Sequence, residues 1–71
     1  MKFSSRLVSL RKSRGLTQKN IADALGFSTV AIQNYESERR KPTFDALISI
    51  ADYFNVSLDY LVGRSDDPER H

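Results

Sequence analysis

The 71-residue chain has no cysteine and no tryptophan, three glycines, two prolines and one histidine. Without cysteine there is no disulfide framework and no thiolate zinc site to stiffen a small fold. The single histidine, His71, is the last residue and offers no catalytic pair or metal cluster. No glycine-rich phosphate loop occurs, and Asp66 and Asp67 are too local to hold a metal well. These gaps argue against an enzyme, and no cofactor or small-molecule ligand is expected. Apolar runs extend only a few residues, too short for a membrane span, and no apolar signal region follows Lys2 and Arg6. The expected location is the cytoplasm. The length allows one domain, residues 1–71, whose core comes from helix packing or from a partner chain.

Charge is divided along the chain. Residues 1–41 carry nine Lys or Arg against three acids (Asp23, Glu36 and Glu38), a balance of +6. Residues 42–71 carry Arg64 and Arg70 against six acids, a balance of −4. One end of such a domain attracts polyanions and the other repels them. The division alone does not separate DNA from RNA or from an acidic protein.

Helical spacing and cap residues predict five helices and no sheet, an all-α fold. The first covers about 4–13, with Phe3, Leu7, Val8 and Leu10 as apolar positions and a stop at Gly15. The second follows the cap residue Thr17 and stops at Gly26; the third follows Ser28 and runs to about Ser37. The fourth begins after Pro42 and Thr43, with Phe44, Leu47, Ile48, Ile50, Ala51 and Phe54 at helical spacing. The fifth is a short turn from the Ser57 cap through Leu58, Leu61 and Val62 to Gly63. The core is placed at about 4–63, and the polar segment 64–71 is expected to be a flexible tail.

The stretch TQKNIADALGFSTVAIQNYE, residues 17–36, carries the strongest signal. Two helices crossing steeply through a tight turn need a small residue at the approach, a residue tolerant of positive φ in the turn, and a buried anchor beyond it. Ala22, Gly26 and Ile32 supply these, with Ile21, Leu25, Phe27 and Tyr35 completing the inner face. Thr29, Val30, Gln33 and Asn34 remain outside on the second helix of the pair. An amide can pair bidentately with adenine, a threonine hydroxyl can bond a base or a phosphate, and valine can touch a thymine methyl. A two-helix packing unit without nucleic-acid function would share the same core pattern.

These residues resemble the phage-repressor and Cro-type (XRE-type) helix-turn-helix regulators. The matching positions are Arg14–Gly15–Leu16–Thr17–Gln18, Ile21–Ala22, Leu25–Gly26, Ile32–Gln33–Asn34–Tyr35–Glu36, Arg40–Lys41–Pro42 and Val56–Ser57–Leu58–Asp59–Tyr60–Leu61, so the resemblance spans about 6–63. It implies a five-helix domain that binds double-stranded operator DNA as a transcriptional regulator, most often a repressor acting as a two-fold homodimer. It also implies that Gln18 holds a phosphate and that Arg11 and Glu36 form an ion pair tying the first helix to the third. Two positions depart from the family pattern. Glu38 stands where glycine is common, so a different backbone path is expected after the third helix, and Ala31 replaces a usual Ser or Thr.

The expected roles follow. Thr29, Val30, Gln33 and Asn34 read bases, with Asn34 open to a phosphate as well. Thr17, Gln18, Lys19, Ser28, Arg39, Arg40 and Lys41 hold phosphates. Val56, Leu58, Tyr60 and Val62 offer a dimer patch, or else only finish a monomer core. The alternative function is a protein-interaction module of the same fold, an antitoxin or adaptor with secondary DNA binding.

Overall fold

A computed structural model describes residues 2–69, and every regular element among them is a helix: α1 Phe3–Ser13, α2 Gln18–Leu25, α3 Thr29–Glu36, α4 Phe44–Phe54 and α5 Leu58–Leu61. Helices of four to eleven residues do not persist alone in water, so their ends must be tied. Thr17, Ser28, Thr43 and Ser57 do this at four N-termini. Each hydroxyl accepts a hydrogen bond from the backbone N–H three residues ahead, those of Asn20, Ala31, Ala46 and Tyr60. The Asn20 side chain also accepts from the Thr17 N–H, closing a reciprocal cap. Each such cap contributes about 1 kcal/mol.

The C-termini share one device. A backbone N–H reaches back five residues to a helix carbonyl: Leu16 to Arg11, Phe27 to Ala22, Arg39 to Asn34, Val56 to Ala51 and Arg64 to Asp59. The residue just before each of these donors has positive φ: Gly15, Gly26, Glu38, Asn55 and Gly63. No other described residue does. Glycine fits this place without cost and asparagine tolerates it. Glu38, at φ 65°, does not. The loop after α3 therefore makes the left-handed turn that glycine favours and does not bend away to spare the side chain. The Arg39-to-Asn34 bond and an ion pair from Glu38 to Lys2 (3.4 Å) accompany the strained residue.

The core gathers Leu7, Ile21, Ala22, Ile32, Ile50, Ala51, Phe54, Val56 and Leu61. Phe44 does not join it and is 67% exposed at the start of α4. Arg6 is buried at the opposite end of the chain from its partners. Its Nε donates to the Tyr60 carbonyl (2.9 Å), its Nη2 to the Ser65 carbonyl (3.3 Å), and its guanidinium lies 3.7 Å from the centre of the Tyr60 ring. The segment after α5 makes hydrogen bonds to the rest of the fold. The Arg64 and Ser65 N–H groups donate to the Asp59 carbonyl, and the Ser57 N–H donates to the Pro68 carbonyl. The last two positions of the expected tail, 70 and 71, lie outside the described residues.

Replacing Glu38 with glycine is expected to stabilise the domain by roughly 0.5–1 kcal/mol, the left-handed penalty less glycine's extra unfolded-state freedom. Glu38→Ala keeps the Cβ and should bring none of this gain. Thermal melts followed by circular dichroism separate the two; equal melting temperatures for the two variants would contradict the strain.

Candidate nucleic-acid interface

The closeness of α2 and α3 rests on Ala22 and Ile32, both fully buried, and on the left-handed turn at Gly26. With Ile32 anchored inward, the helical period turns Val30 and Gln33 outward, and both are exposed. Thr29 and Asn34 are half-buried at the edges of this face. Val30 is 60% exposed, an apolar side chain set in water beside polar ones. The Asn34 carbonyl accepts the Arg39 and Arg40 N–H groups, so the backbone of the basic run hangs directly from α3.

Behind this face lies a small buried polar network. Arg11 Nε donates to Glu36 Oε2 at 2.7 Å and Nη2 to Oε1 at 3.1 Å, a bidentate pair joining α1 to α3. Arg11 Nη1 also donates to the Leu16 carbonyl, and Gln18 Nε2 donates to Glu36 Oε1 at 3.0 Å. The two charged side chains are only 14% and 8% exposed. Gln18, at the start of α2, is thereby oriented by α3 and keeps one amide hydrogen free. The Thr17 and Ser28 hydroxyl oxygens act as cap acceptors, which leaves their O–H hydrogens available outward.

The structure redistributes the basic half of the chain. Lys2 pairs with Glu38 and Lys19 with Asp23; Arg6 and Arg11 are bound as described. Arg14 Nη2 donates to the Phe54 carbonyl at 2.6 Å, capping the end of α4. Lys12, Arg39, Arg40 and Lys41 are the cations of residues 1–41 whose side chains have no partner among the described residues. Lys19 is less committed than a buried ion, because its pair with Asp23 is solvent-exposed and contributes only about 0.3–0.5 kcal/mol.

Of the four residues expected at a dimer patch, Val56 is only 5% exposed and belongs to the core. The left-handed turn at Asn55 and the Val56-to-Ala51 bond swing it inward, which corrects its assignment to a surface patch. Tyr60 is half-buried beneath Arg6, and Val62 is half-buried in a groove with Phe3, Tyr35 and Leu47. Leu58 stays open, and Phe44, one of the apolar positions at helical spacing in α4, is the largest exposed apolar side chain. Among the described residues no group of three or more His, Cys, Asp or Glu could hold a metal, and no helix is long and apolar enough to cross a membrane.

Two short crossed helices around a left-handed glycine, with hydroxyl and amide groups outward on the second and free cations at its end, define the helix-turn-helix class. The chain belongs to the helix-turn-helix family of phage-repressor and Cro-type regulators, whose profile it matches over residues 7–61. It is 37% identical over 67 residues to an uncharacterised helix-turn-helix transcriptional regulator of Bacillus subtilis, YobD, covering 94% of this chain and 60% of that protein. It is 41% identical over 64 residues to the Vibrio cholerae cryptic phage CTXphi transcriptional repressor RstR, covering 90% of this chain and 57% of that protein. The chain thus spans little more than half the length of these relatives. The fold is similar to that of the P22 c2 repressor in complex with synthetic operator, with a TM-score of 0.83, 25% identity, and coverage of 92% of this chain and 98% of that one. A transcriptional regulator from Listeria innocua gives a TM-score of 0.82 at 39% identity, over 87% of this chain and 58% of that one.

Removing one member of the Arg11–Glu36 pair leaves the other charged and buried. Glu36→Ala is expected to cost about 3 kcal/mol, whereas the double variant Arg11→Met/Glu36→Leu should recover most of that loss. Urea unfolding of the three proteins measures the difference; a double variant less stable than Glu36→Ala would show that the pair is not a coupled unit.

Proposed function

We propose that the chain is the DNA-binding domain of a transcriptional regulator, a repressor of phage or mobile-element type acting on DNA in a bacterial cytoplasm. It reads a palindromic operator as a homodimer, with α3 in the major groove. The observation that carries this reading is the outward set Thr29, Val30, Gln33 and Asn34 on an eight-residue helix whose end bears the unpaired cations Arg39, Arg40 and Lys41. Hydroxyl, methyl and amide groups match base edges in the major groove. Cations beside them neutralise phosphates without reading sequence. The repressor names of RstR and of the operator-bound P22 c2 protein support the same direction.

A single α3 reads few base pairs, so a two-fold pair is required for specificity. The two copies of α3 then sit about one turn of DNA apart, near 34 Å. Leu58 and Phe44 are the exposed apolar residues best suited to bring two copies together.

Selection of bound sequences from a random duplex pool, followed by titration at several salt concentrations, tests the proposal. A recovered palindrome and a steep salt slope are expected; equal binding to all sequences would sink it. Gln33→Ala should relax preference at one base position per half-site, at a cost of about 1–3 kcal/mol. Arg40→Ala should weaken all sequences alike and make the salt slope shallower by about 0.9 for each phosphate that it leaves without a cation.

A further inference from the structure

The basic run after α3 does not act on one side only. Arg40 and Lys41 line a groove with Phe3 and Tyr35, whereas Arg39 lines a separate open concavity of about 570 Å³ on the other flank of α3. Lys12, from the last turn of α1, stands in that second concavity with Gln18 and Gln33, and its floor is the Arg11–Glu36 pair. Lys12 and Arg39 are exposed, and neither side chain has a partner among the described residues.

We propose that Lys12, Arg39 and the free amide hydrogen of Gln18 form a seat for one phosphodiester of the DNA backbone, directly beside the base-reading Gln33. This inference rests on the operator-binding reading and deepens it. The charges agree with a monoanionic guest. Arg11 neutralises Glu36 through two hydrogen bonds, which leaves two uncompensated positive charges in the concavity. The donors differ usefully: lysine is a point charge, the guanidinium a planar fork, and the Gln18 amide is already aimed by its bond to Glu36. They also come from three separate elements, namely α1, α2 and the loop after α3. A phosphate held there fixes the height of Gln33 above the bases, because the seat and Gln33 line the same concavity. Lys12 has a structural use as well, as a cation at the negative end of α1. The test must therefore read something that this role does not move.

The experiment measures operator binding by the wild-type chain, Lys12→Met, Lys12→Arg, Arg39→Gln and the double variant Lys12→Met/Arg39→Gln across a salt series, with thermal melts confirming that each is folded. Lys12→Met and Arg39→Gln are each expected to weaken binding several-fold and leave base preference unchanged, and the double variant, which leaves the phosphate without a cation, should lower the salt slope by about 0.9 per bound protomer. Lys12→Arg should bind as the wild type does. Each phosphate of the half-site is then replaced in turn with an uncharged methylphosphonate. At one position, and the same one, the losses from Lys12→Met and Arg39→Gln should disappear. An unchanged slope for Lys12→Met/Arg39→Gln, alongside a shallower one for Arg40→Ala, overturns the seat and leaves the regulator reading intact. A wild-type protein with no DNA affinity overturns that reading and the seat with it. Inorganic phosphate shares the ligand chemistry. If it shifts the Gln18 and Gln33 amide resonances at constant ionic strength while no DNA phosphate couples to Lys12, the site takes a free anion and the assignment to DNA fails.

Discussion

The bidentate pair between Arg11 and Glu36 is the interaction on which the outer face of α3 depends. It joins α1 to α3 directly and, through Gln18, fixes the start of α2 to the same carboxylate. Three helices of eight to eleven residues are thereby referenced to one charged group. Hydrophobic contact among Leu7, Ile21 and Ile32 brings these helices together but is not directional. A buried carboxylate that must be satisfied by a particular fork and a particular amide is directional, and together with the inward anchor Ile32 it holds the rotation of α3 about its axis. The faces of α3 toward solvent and toward the core follow from that rotation.

The electrostatic design is less generous than the composition suggests. Nine cations precede Pro42, and five of them are engaged by the protein's own carbonyls, ring faces or carboxylates, Lys2 and Lys19 in solvent-exposed pairs. The positive surface left over is narrow and flanks one helix on two sides. A narrow, divided ridge positions a duplex more sharply than a diffuse field of the same total charge, because each contact falls at a defined distance from the bases. Glu38 lines the groove that holds Arg40 and Lys41, tied to Lys2.

What could be read from the sequence was what is decided locally. The caps at Thr17, Ser28, Thr43 and Ser57 act within three residues, and the turn at Gly26 needs only its own backbone, so all were visible in the spacing. The outward residues of α3 followed from a helical period and one buried anchor. Distant pairings were not visible. Nothing near Arg6 or Arg14 announces that they reach carbonyls 54 and 40 residues away. Val56 was misread because α5 is a single turn and the left-handed Asn55 resets the direction of the chain before it. The exposure of Phe44 was not legible either, because the buried face of α4 begins only at Ala46, inside its cap.

The clasp that Arg6 makes with Tyr60 and Ser65 has a kinetic consequence. It closes the chain almost end to end, across 54 and 59 residues, whereas the α2–α3 unit is assembled from neighbours. Closing so long a loop has an entropic cost that short-range helix pairing avoids, so the clasp forms after the crossed pair is in place. Interactions that arise late slow unfolding without hastening folding. Arg6 thus extends the lifetime of the folded domain, while the residues of the turn govern how quickly it is reached.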